Sequence, residues 1–514
     1  MEKDVAKLID ELVNYGSDHL DLSLEDAVYA RNQLGEYFDV VMDDRRPDRA
    51  ENIDDVISAL TEVGKEKGLT EDGAEMRFEA RLFGYVTASP GYVRRTFIRI
   101  KMSQGAPYAT NYLYDLSVAN RYIRLADIKK NILWYADGPK GKIGITINLS
   151  KPEKDAKQIA AERNAPQKKY PKCLLCLENL GYPGSLTHPA RQTLRVIPLL
   201  LAGENWHMQF SPYSYYKQHI IAFSDEHRPM AVTDKTFIRL LDFVEIFPNY
   251  FIGSNADLPI VGGSILSHDH YQGGAKVLPM LDAPIRKTYR VEKGFKISVK
   301  DWYNSVVNVS GPSKQKVALA CGKILALWRI YSDPAVGVFA KTGDTPHNTV
   351  TPICMINSEG HFSVDLILRN NRTDEEHPDG IFHPTKDMHH IKKEGIGLIE
   401  AMGMFILPGR LKKELSGAEE ILSAGKEPDF AALREDPALG KHADMIEAIG
   451  KEYGYSMTAE EAHARVTEHV DKVCLDILEC TAVFKNDEQG QKAFDLFMKN
   501  VVEICKVSRA AKKV

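Results

Sequence analysis

Ser264-Ile-Leu-Ser-His268-Asp-His270-Tyr-Gln272-Gly-Gly274 is the stretch from which the rest of the chain is read. In extended backbone, side chains at i and i+2 share a face, so His268 and His270 stand together and Gln272 joins their row. The apolar and small residues from Ile260 to Leu266 lead in, and glycines flank both sides. The pattern predicts a strand that carries three polar side chains into a cleft. An unprotonated imidazole is a nucleophile toward phosphorus. A second histidine can orient it or bind metal, and a glutamine can hydrogen-bond a phosphoryl oxygen without adding charge. A His-x-His pair alone is common, so support must come from elsewhere in the chain.

Cys173-Leu-Leu-Cys176 follows Pro171. This spacing suits one tetrahedral metal, usually zinc, with two further ligands from elsewhere. A pair of buried thiols fits the same spacing, and a redox pair lacks its usual βαβ context. The other five of the seven cysteines (Cys321, Cys354, Cys474, Cys480 and Cys505) show no ligand spacing. The odd count and the charged start Met1-Glu-Lys-Asp, unlike a secretory signal, argue against a disulfide framework. His219-Ile-Ile-Ala-Phe-Ser-Asp-Glu-His227 reads as a short strand ending in a polar turn, with His227 just past its end. Phe237, Leu240, Leu241, Val244 and Phe247 then mark a helix from Thr236 to Phe247, stopped by Pro248. The order is strand, His, helix, strand, His-x-His, and His227 gains candidate co-ligands in the C-x-x-C pair and His268. Asn255 and Gly262-Gly263-Ser264 lie before the His strand. Small residues there let a ligand approach the backbone, and Asn and Ser offer hydrogen bonds to phosphate or sugar oxygens. Gly-Gly-Ser is also an ordinary turn.

On these residues the chain resembles the galactose-1-phosphate uridylyltransferases of the second bacterial class, the longer form within the histidine-triad superfamily. Further matching blocks are Ile145-Thr-Ile-Asn-Leu-Ser-Lys-Pro-Glu-Lys-Asp155, Tyr170-Pro-Lys-Cys-Leu-Leu-Cys176, Glu178-Asn179 and His188-Pro-Ala-Arg191. Phe210-Ser-Pro-Tyr213, Thr345-Pro-His-Asn-Thr349 and Phe405-Ile-Leu-Pro-Gly-Arg410 continue the series. Superfamily members with His-x-His-x-Gln tend to be nucleotidyl transferases, and those with a third histidine tend to be hydrolases. Gln272 places this chain with the transferases.

The resemblance implies roles. His270 is the nucleophile that takes UMP from a UDP-sugar, and Gln272 holds the phosphoryl oxygens. Cys173, Cys176, His227 and His268 match the zinc ligands of the first class, so one structural zinc and no organic cofactor are expected. Asn255, Gly263 and Ser264 contact the nucleotide sugar, with the stretch after Gly263 one residue longer here than in the first class. His347 is a candidate sugar contact. Arg410, like Arg191 and Arg195, suits a phosphate or a structural ion pair. The first class has proline where this chain has Asp269. Its second metal site uses histidines whose spacing is missing from His361-Phe-Ser-Val-Asp365, so no iron-type site is expected.

The implied activity is exchange of UMP between UDP-glucose and galactose 1-phosphate through a uridylyl-histidine. This is a step of galactose metabolism that splits a difficult displacement into two. Alternatives are a UTP-dependent sugar-1-phosphate uridylyltransferase, a dinucleotide phosphorylase, and a non-enzymatic zinc-stabilised nucleotide sensor. The partners implied are UDP-glucose, UDP-galactose and hexose 1-phosphates, and family members are commonly dimers. The sugar preference is not encoded legibly, since galactose, glucose and their N-acetyl forms differ at one substituent.

With 514 residues the chain can bury a large core in more than one domain. A net charge of −5 gives no nucleic-acid signal, and the basic tail from Lys506 to Lys513 reads as a solvated helix end. No run of 18 apolar residues exists, so no membrane span is expected and the cytoplasm is the simplest location. The fold class expected is α+β, with two histidine-triad-like halves containing antiparallel sheet between mainly helical ends. The divisions are 1–164, helical with a β-hairpin; 165–282, the catalytic half; 283–415, the second half; and 416–514, helical. The duplication rests on the resemblance, because no repeat is visible. Helices are expected from the stripe Val5, Leu8, Ile9, Leu12, Val13, and over Leu24–Tyr37, Glu75–Phe83, Asp115–Ile128 and Gly322–Tyr331. A charged turn is expected at Asp43 to Asp48, and a hairpin from Lys130 to Leu149 around Asp137-Gly-Pro-Lys-Gly141. Strands are expected near Thr351–Ile356 and Phe362–Leu368. His389-His390, in a lysine-rich stretch, is expected to be exposed and carries no expected role.

Overall fold

The computed structural model describes residues 4–43, 51–150, 170–263 and 265–506. The basic tail beyond Lys506 and most of the charged turn at Asp43 to Asp48 lie outside them, as does Ser264. The chain forms two compact units, one within Met1–Lys129 and Glu153–Arg228, the other within Lys130–Pro152 and Pro229–Val514.

The first unit opens with α1 (Val5–His19), α2 (Leu24–Phe38), α3 (Ile53–Glu66), α4 (Glu75–Val86), α5 (Pro90–Gln104), α6 (Ala106–Ala119) and α7 (Leu125–Ile128). The Asp4 carboxylate caps α1 by accepting the Lys7 N–H, and Ile9, Leu12 and Val13 of the expected stripe are buried. Gly16 permits close packing on the end of α4, since an added Cβ would lie 2.7 Å from the Val86 carbonyl oxygen. The helix expected over Asp115–Ile128 is broken. α6 begins earlier and stops at Ala119, and Arg121 takes a left-handed φ of 62° that an α-helix cannot continue. Asn120 makes the stop: its Oδ1 accepts the Tyr122 N–H at 3.1 Å and its Nδ2 donates to the Thr193 carbonyl at 2.9 Å.

Strands β1 (Ile132–Ala136) and β2 (Ile143–Asn148) belong to the second unit. They form the expected hairpin, with Trp134 opposite Ile145. The first unit's strands are β3 (Ile197–Leu201), β4 (Glu204–Phe210) and β5 (Ile220–Ser224), an antiparallel meander. On β3, Ile197, Leu199 and Leu201 point inward while Pro198 and Leu200 are exposed.

The second unit carries seven further strands in one fully antiparallel arrangement. They are β6 (Tyr250–Gly253), β7 (His270–Ala275), β8 (Ile285–Glu292), β9 (Phe295–Lys300), β10 (Val306–Gly311), β13 (Asn348–Ile356) and β14 (Phe362–Asn370). Two short strands, β11 (Lys341–Thr342) and β12 (Thr345–Pro346), pair separately. The spatial order is β7-β6-β13-β14-β10-β9-β8. β15 (Met404–Pro408) lies parallel to β2. Helices α8 (Asp234–Ile246) and α9 (Lys314–Ile330) pack on β6, β13, β14 and β10 and are joined by Lys314, whose Nζ reaches Asp242 at 2.8 Å and Glu245 at 2.5 Å. Trp328 of α9 is fully buried and donates to the Thr349 carbonyl at 2.9 Å. After α10 (Leu398–Ala401) and β15 the chain is helical: α11 (Arg410–Leu422), α12 (Phe430–Arg434), α13 (Ala443–Tyr453), α14 (Ala459–Cys480) and α15 (Glu488–Lys506). Thr458 and Glu461 form a reciprocal capping box on α14.

The fold is α+β with a large antiparallel sheet, as expected. No helix among the described residues is long and apolar enough to cross a membrane. One strand is shorter than expected. The described residues of the apolar run, 260–263, 265 and 266, do not join the ladder, and β7 starts only at His270. Val261 is buried there without being a strand residue, so its hydrophobicity serves packing of a loop.

Candidate active site

In the first unit, Cys173, Cys176 and His227 come together although 51 residues separate Cys176 from His227. The Cys176 Sγ lies 3.1 Å from His227 Nδ1 and 3.5 Å from Cys173 Sγ. The ligand atoms of all three lie within 4.8 Å of one another. Around a tetrahedral zinc with Zn–S of about 2.3 Å, two sulfurs stand about 3.8 Å apart, so this spacing suits a shared ion. Buried Asn179 holds the turn. Its Nδ2 donates to the carbonyls of Cys173 and Cys176, at 2.9 and 2.8 Å, and its Oδ1 pairs with His188 Nε2 at 2.6 Å. Burial, reinforced by the neighbouring Cys173 thiol, pushes the Cys176 thiol up to about 11. A bound cation reverses that shift by favouring the thiolate. The residues fit a metal, and the group is one that could hold an ion.

In the second unit, His270 is the first residue of β7 and is only 5 % exposed. Its Nδ1 lies 2.8 Å from the backbone carbonyl of His268. A carbonyl only accepts, so Nδ1 carries the hydrogen and Nε2 carries the lone pair. Burial drives the His270 pKa down to about 4, which keeps the ring neutral. His268 is itself buried, on the bend before the strand. Gln272, half-buried, follows His270 on the same face and pairs in register with Gly253 of β6. Gly273 allows β6 to approach, since an added Cβ would sit 2.3 Å from the Phe251 carbonyl oxygen.

The alternate residues, Asp269 and Tyr271, are buried on the other face of this segment. Arg239 of α8 meets both: its Nη1 lies 3.4 Å from Asp269 Oδ2 and 3.2 Å from the Tyr271 hydroxyl. The motif therefore carries His270 and Gln272 on one face and a buried tether to α8 on the other.

The remaining expected contacts are distributed unevenly. Asn255 is buried and its Oδ1 accepts the Leu398 N–H at 2.8 Å. Gly263 sits against it, and a Cβ there would come within 2.4 Å of Asn255 Nδ2. Ser264 lies outside the described residues. His347 places Nδ1 2.9 Å from Asn371 Oδ1 and Nε2 2.9 Å from Thr342 Oγ1, so both ring nitrogens are engaged by the protein. Arg410 is paired with Glu414 at 2.5 Å, one turn along α11. Arg195 donates to four backbone carbonyls, among them Ala88 at 2.9 Å and Thr87 at 3.1 Å, which is a structural use. Asp365, in the strand compared with the first class's second metal site, is buried against Lys300 at 2.8 Å and Asn308 at 2.7 Å.

A family profile described as "Galactose-1-phosphate uridyl transferase, N-terminal domain" matches residues 25–229. A protein named galactose-1-phosphate uridylyltransferase from Caldanaerobacter subterraneus subsp. tengcongensis is 43% identical over 508 residues, covering 97% of this chain and 98% of the relative. The chain belongs to the galactose-1-phosphate uridylyltransferase family. A relative of the same name from Fusobacterium nucleatum is 42% identical over 512 residues, covering 97% and 99%. One from Bacillus subtilis is 42% identical over 503 residues, covering 96% and 97%. No solved structure matches the chain at a significant level.

Two supports of this uridylyltransferase-family site were not foreseen. Arg239 was hidden in the apolar stripe of α8, although the i, i+2 alternation of Asp269 and Tyr271 marks a second polar row behind the histidines. Asn179 and His188 stood in matching blocks, yet nothing in their spacing told that they would grip the C-x-x-C turn.

Proposed function

We propose that the chain is a UDP-glucose–hexose-1-phosphate uridylyltransferase acting by double displacement, with Nε2 of His270 as the nucleophile. The observation that supports this most is the 2.8 Å bond from His270 Nδ1 to the His268 carbonyl. It selects the tautomer whose lone pair is on Nε2, in a ring kept neutral by burial. In the first half-reaction Nε2 attacks the α-phosphorus of UDP-glucose. The N–P bond forms as the bond to the bridging oxygen breaks, and that oxygen leaves with its electron pair as glucose 1-phosphate. In the second, a phosphate oxygen of galactose 1-phosphate attacks the same phosphorus. The N–P bond breaks, UDP-galactose leaves and the lone pair returns to Nε2. The attacking phosphate is already ionised, so no strong general base is needed. The protein's work is positioning and stabilisation of charge on the phosphoryl group, in which Gln272 offers an amide N–H. Asn255 and Gly263, with Ser264, are assigned to the nucleotide sugar, and Asn255 would do so from a position fixed by Leu398.

Cys173, Cys176 and His227, with His268 as fourth donor, would hold one zinc ion whose contribution is structural: a closed site that fixes the backbone beside the nucleophile. The engaged ring of His347 and the Glu414 pairing of Arg410 favour structural roles for both over direct substrate contact.

The experiment is a mixed incubation of UDP-glucose with galactose, glucose and N-acetylhexosamine 1-phosphates, beside a parallel incubation with UTP in place of UDP-glucose, following each UDP-sugar formed. UDP-galactose formed with equimolar glucose 1-phosphate is the expected result. Reaction only with UTP, with release of pyrophosphate, would favour the UTP-dependent reading instead.

A further inference from the structure

Three histidines outside the proposed catalytic site meet in the second unit. His390 follows a turn at Lys386–Met388, His442 sits at the N-cap of α13, and His469 lies midway along α14. The ring centroids of His390 and His442 are 5.3 Å apart at an interplanar angle of 89°, and those of His390 and His469 are 5.5 Å apart. His390, expected to be exposed, is half-buried, and the His442 side chain is 0 % exposed.

Two of the rings are oriented through their outer nitrogens. His390 Nδ1 lies 2.7 Å from the Asp387 carbonyl, to which it donates. His442 Nε2 lies 3.0 Å from Glu414 Oε2, and Glu414 is in turn held by Arg410 at 2.5 Å and Lys441 at 2.6 Å. With those hydrogens committed, His390 Nε2 and His442 Nδ1 carry lone pairs. Both atoms are buried, as is His469 Nε2, and none of the three has a hydrogen-bond partner among the described residues. Burial keeps His442 and His469 neutral, each with a pKa pushed down to about 4, and lowers His390 as well.

Buried lone pairs without a donor are unfavourable. A cation is the occupant that satisfies several at once. A histidine that binds metal characteristically donates its other N–H to a carboxylate or a backbone carbonyl, which is the arrangement of His442 and His390. Around a tetrahedral ion with metal–nitrogen bonds of about 2.0–2.1 Å, neighbouring imidazole centroids stand about 5.2 Å apart. The two measured spacings are close to that.

We propose that His390, His442 and His469 form a second metal site, a three-imidazole set for a divalent transition ion of the zinc, cobalt and nickel type. Imidazole is a favoured donor for such ions, and three protein ligands leave a fourth position to water. His469, half-buried midway along α14, offers its buried Nε2 as the third donor. The ion would tie α13 and α14 to the segment leading to Leu398, whose N–H anchors Asn255. The site is distinct from the Cys173, Cys176 and His227 group in residues and in donor chemistry.

Cobalt(II) alone is the probe. Full-length protein, dialysed against a weak chelator that leaves thiolate-held metal in place, is titrated with it while absorption is recorded, because a thiolate site gives a sulfur-to-cobalt charge-transfer band and an all-imidazole site does not. The expected result is one equivalent bound without that band, lost in both His390→Asn and His469→Gln, with any thiolate-type equivalent retained. His469→Gln changes a half-buried ring on a helix surface, so it keeps the test open if His390→Asn or a His442 variant fails to fold. Absence of a band-free equivalent in the parent protein overturns the proposal. So does a band-free equivalent that persists in His469→Gln.

Discussion

His270 and His268 are joined ring to main chain: the Nδ1–H of His270 is donated to the His268 carbonyl, 2.8 Å away. The bond is two residues long, so the motif sets its own tautomer, and any displacement of residue 268 is transmitted directly to the His270 ring. Burial, the larger effect, places the His270 pKa at about 4 against an ordinary 6.5. The neutral ring therefore contributes stability in full above pH 6.5, and this is lost as pH falls from 6.5 towards 4, where only the unfolded chain takes up the proton. Single-turnover uridylylation by UDP-glucose, which has no group titrating in that window, should hold its rate down to about pH 5. An acid limb centred on 6.5 would show that His270 is not shielded.

Gln272 shares the His270 face of β7 and is assigned to the phosphoryl oxygens. Losing one donor at developing charge costs roughly a hundredfold to a thousandfold in rate. Gln272→Ala should slow both half-reactions by that order while UDP-glucose binding changes much less. Parent-like single-turnover rates would remove Gln272 from the phosphate.

Arg239 supports the same strand from behind through Asp269 and Tyr271. Taking one partner from a buried charged pair destabilises by about 3–5 kcal/mol. Arg239→Met should lower the melting temperature and reduce kcat more than it raises KM, since it loosens the strand that carries the proposed nucleophile and not a proposed substrate contact. An unchanged kcat in a folded Arg239→Met protein would mean that the tether has no bearing on catalysis.

One metal equivalent should depend on Cys173, Cys176 and His227. Cys176→Ser is expected to lose that equivalent and melting temperature together, because binding at such sites is coupled to folding. Metal analysis of protein purified without chelator, beside thermal denaturation, checks it. Full metal content in Cys176→Ser would leave these residues as ordinary thiols and an imidazole.

Much of this architecture is legible in the chain because periodicity and stop signals act locally. The stripe Ile9, Leu12, Val13 is the buried face of α1, Pro248 lies just past the end of α8, and Asp137-Gly-Pro-Lys-Gly141 closes the β1–β2 hairpin. Hydrophobicity without alternation was less informative. Ile260 to Leu266 reads as a strand, yet its described residues, 260–263, 265 and 266, lie outside the strands, and β7 begins only at His270. The break at Asn120 depended on a hydrogen bond to Thr193, a partner 73 residues away. Polar residues were hardest to assign, because their partners are distant in sequence. Arg195 spends its guanidinium on backbone carbonyls, and His347 spends both nitrogens on Asn371 and Thr342. The reverse error occurred at His390, which lysines in sequence made look solvent-facing and which packs against His442 and His469.

The central claim is that Nε2 of His270 carries UMP between two sugar phosphates. The direct measurement is recovery of the enzyme after a single turnover with UDP-glucose labelled in the uridine, followed by peptide mapping and phosphorus NMR of the labelled histidine. The account predicts acid-labile, base-stable label in the peptide containing His270, bonded at Nε2, discharged by galactose 1-phosphate to UDP-galactose and absent from His270→Ala. Label at Nδ1, label on another residue, or a fully active His270→Ala variant would contradict it.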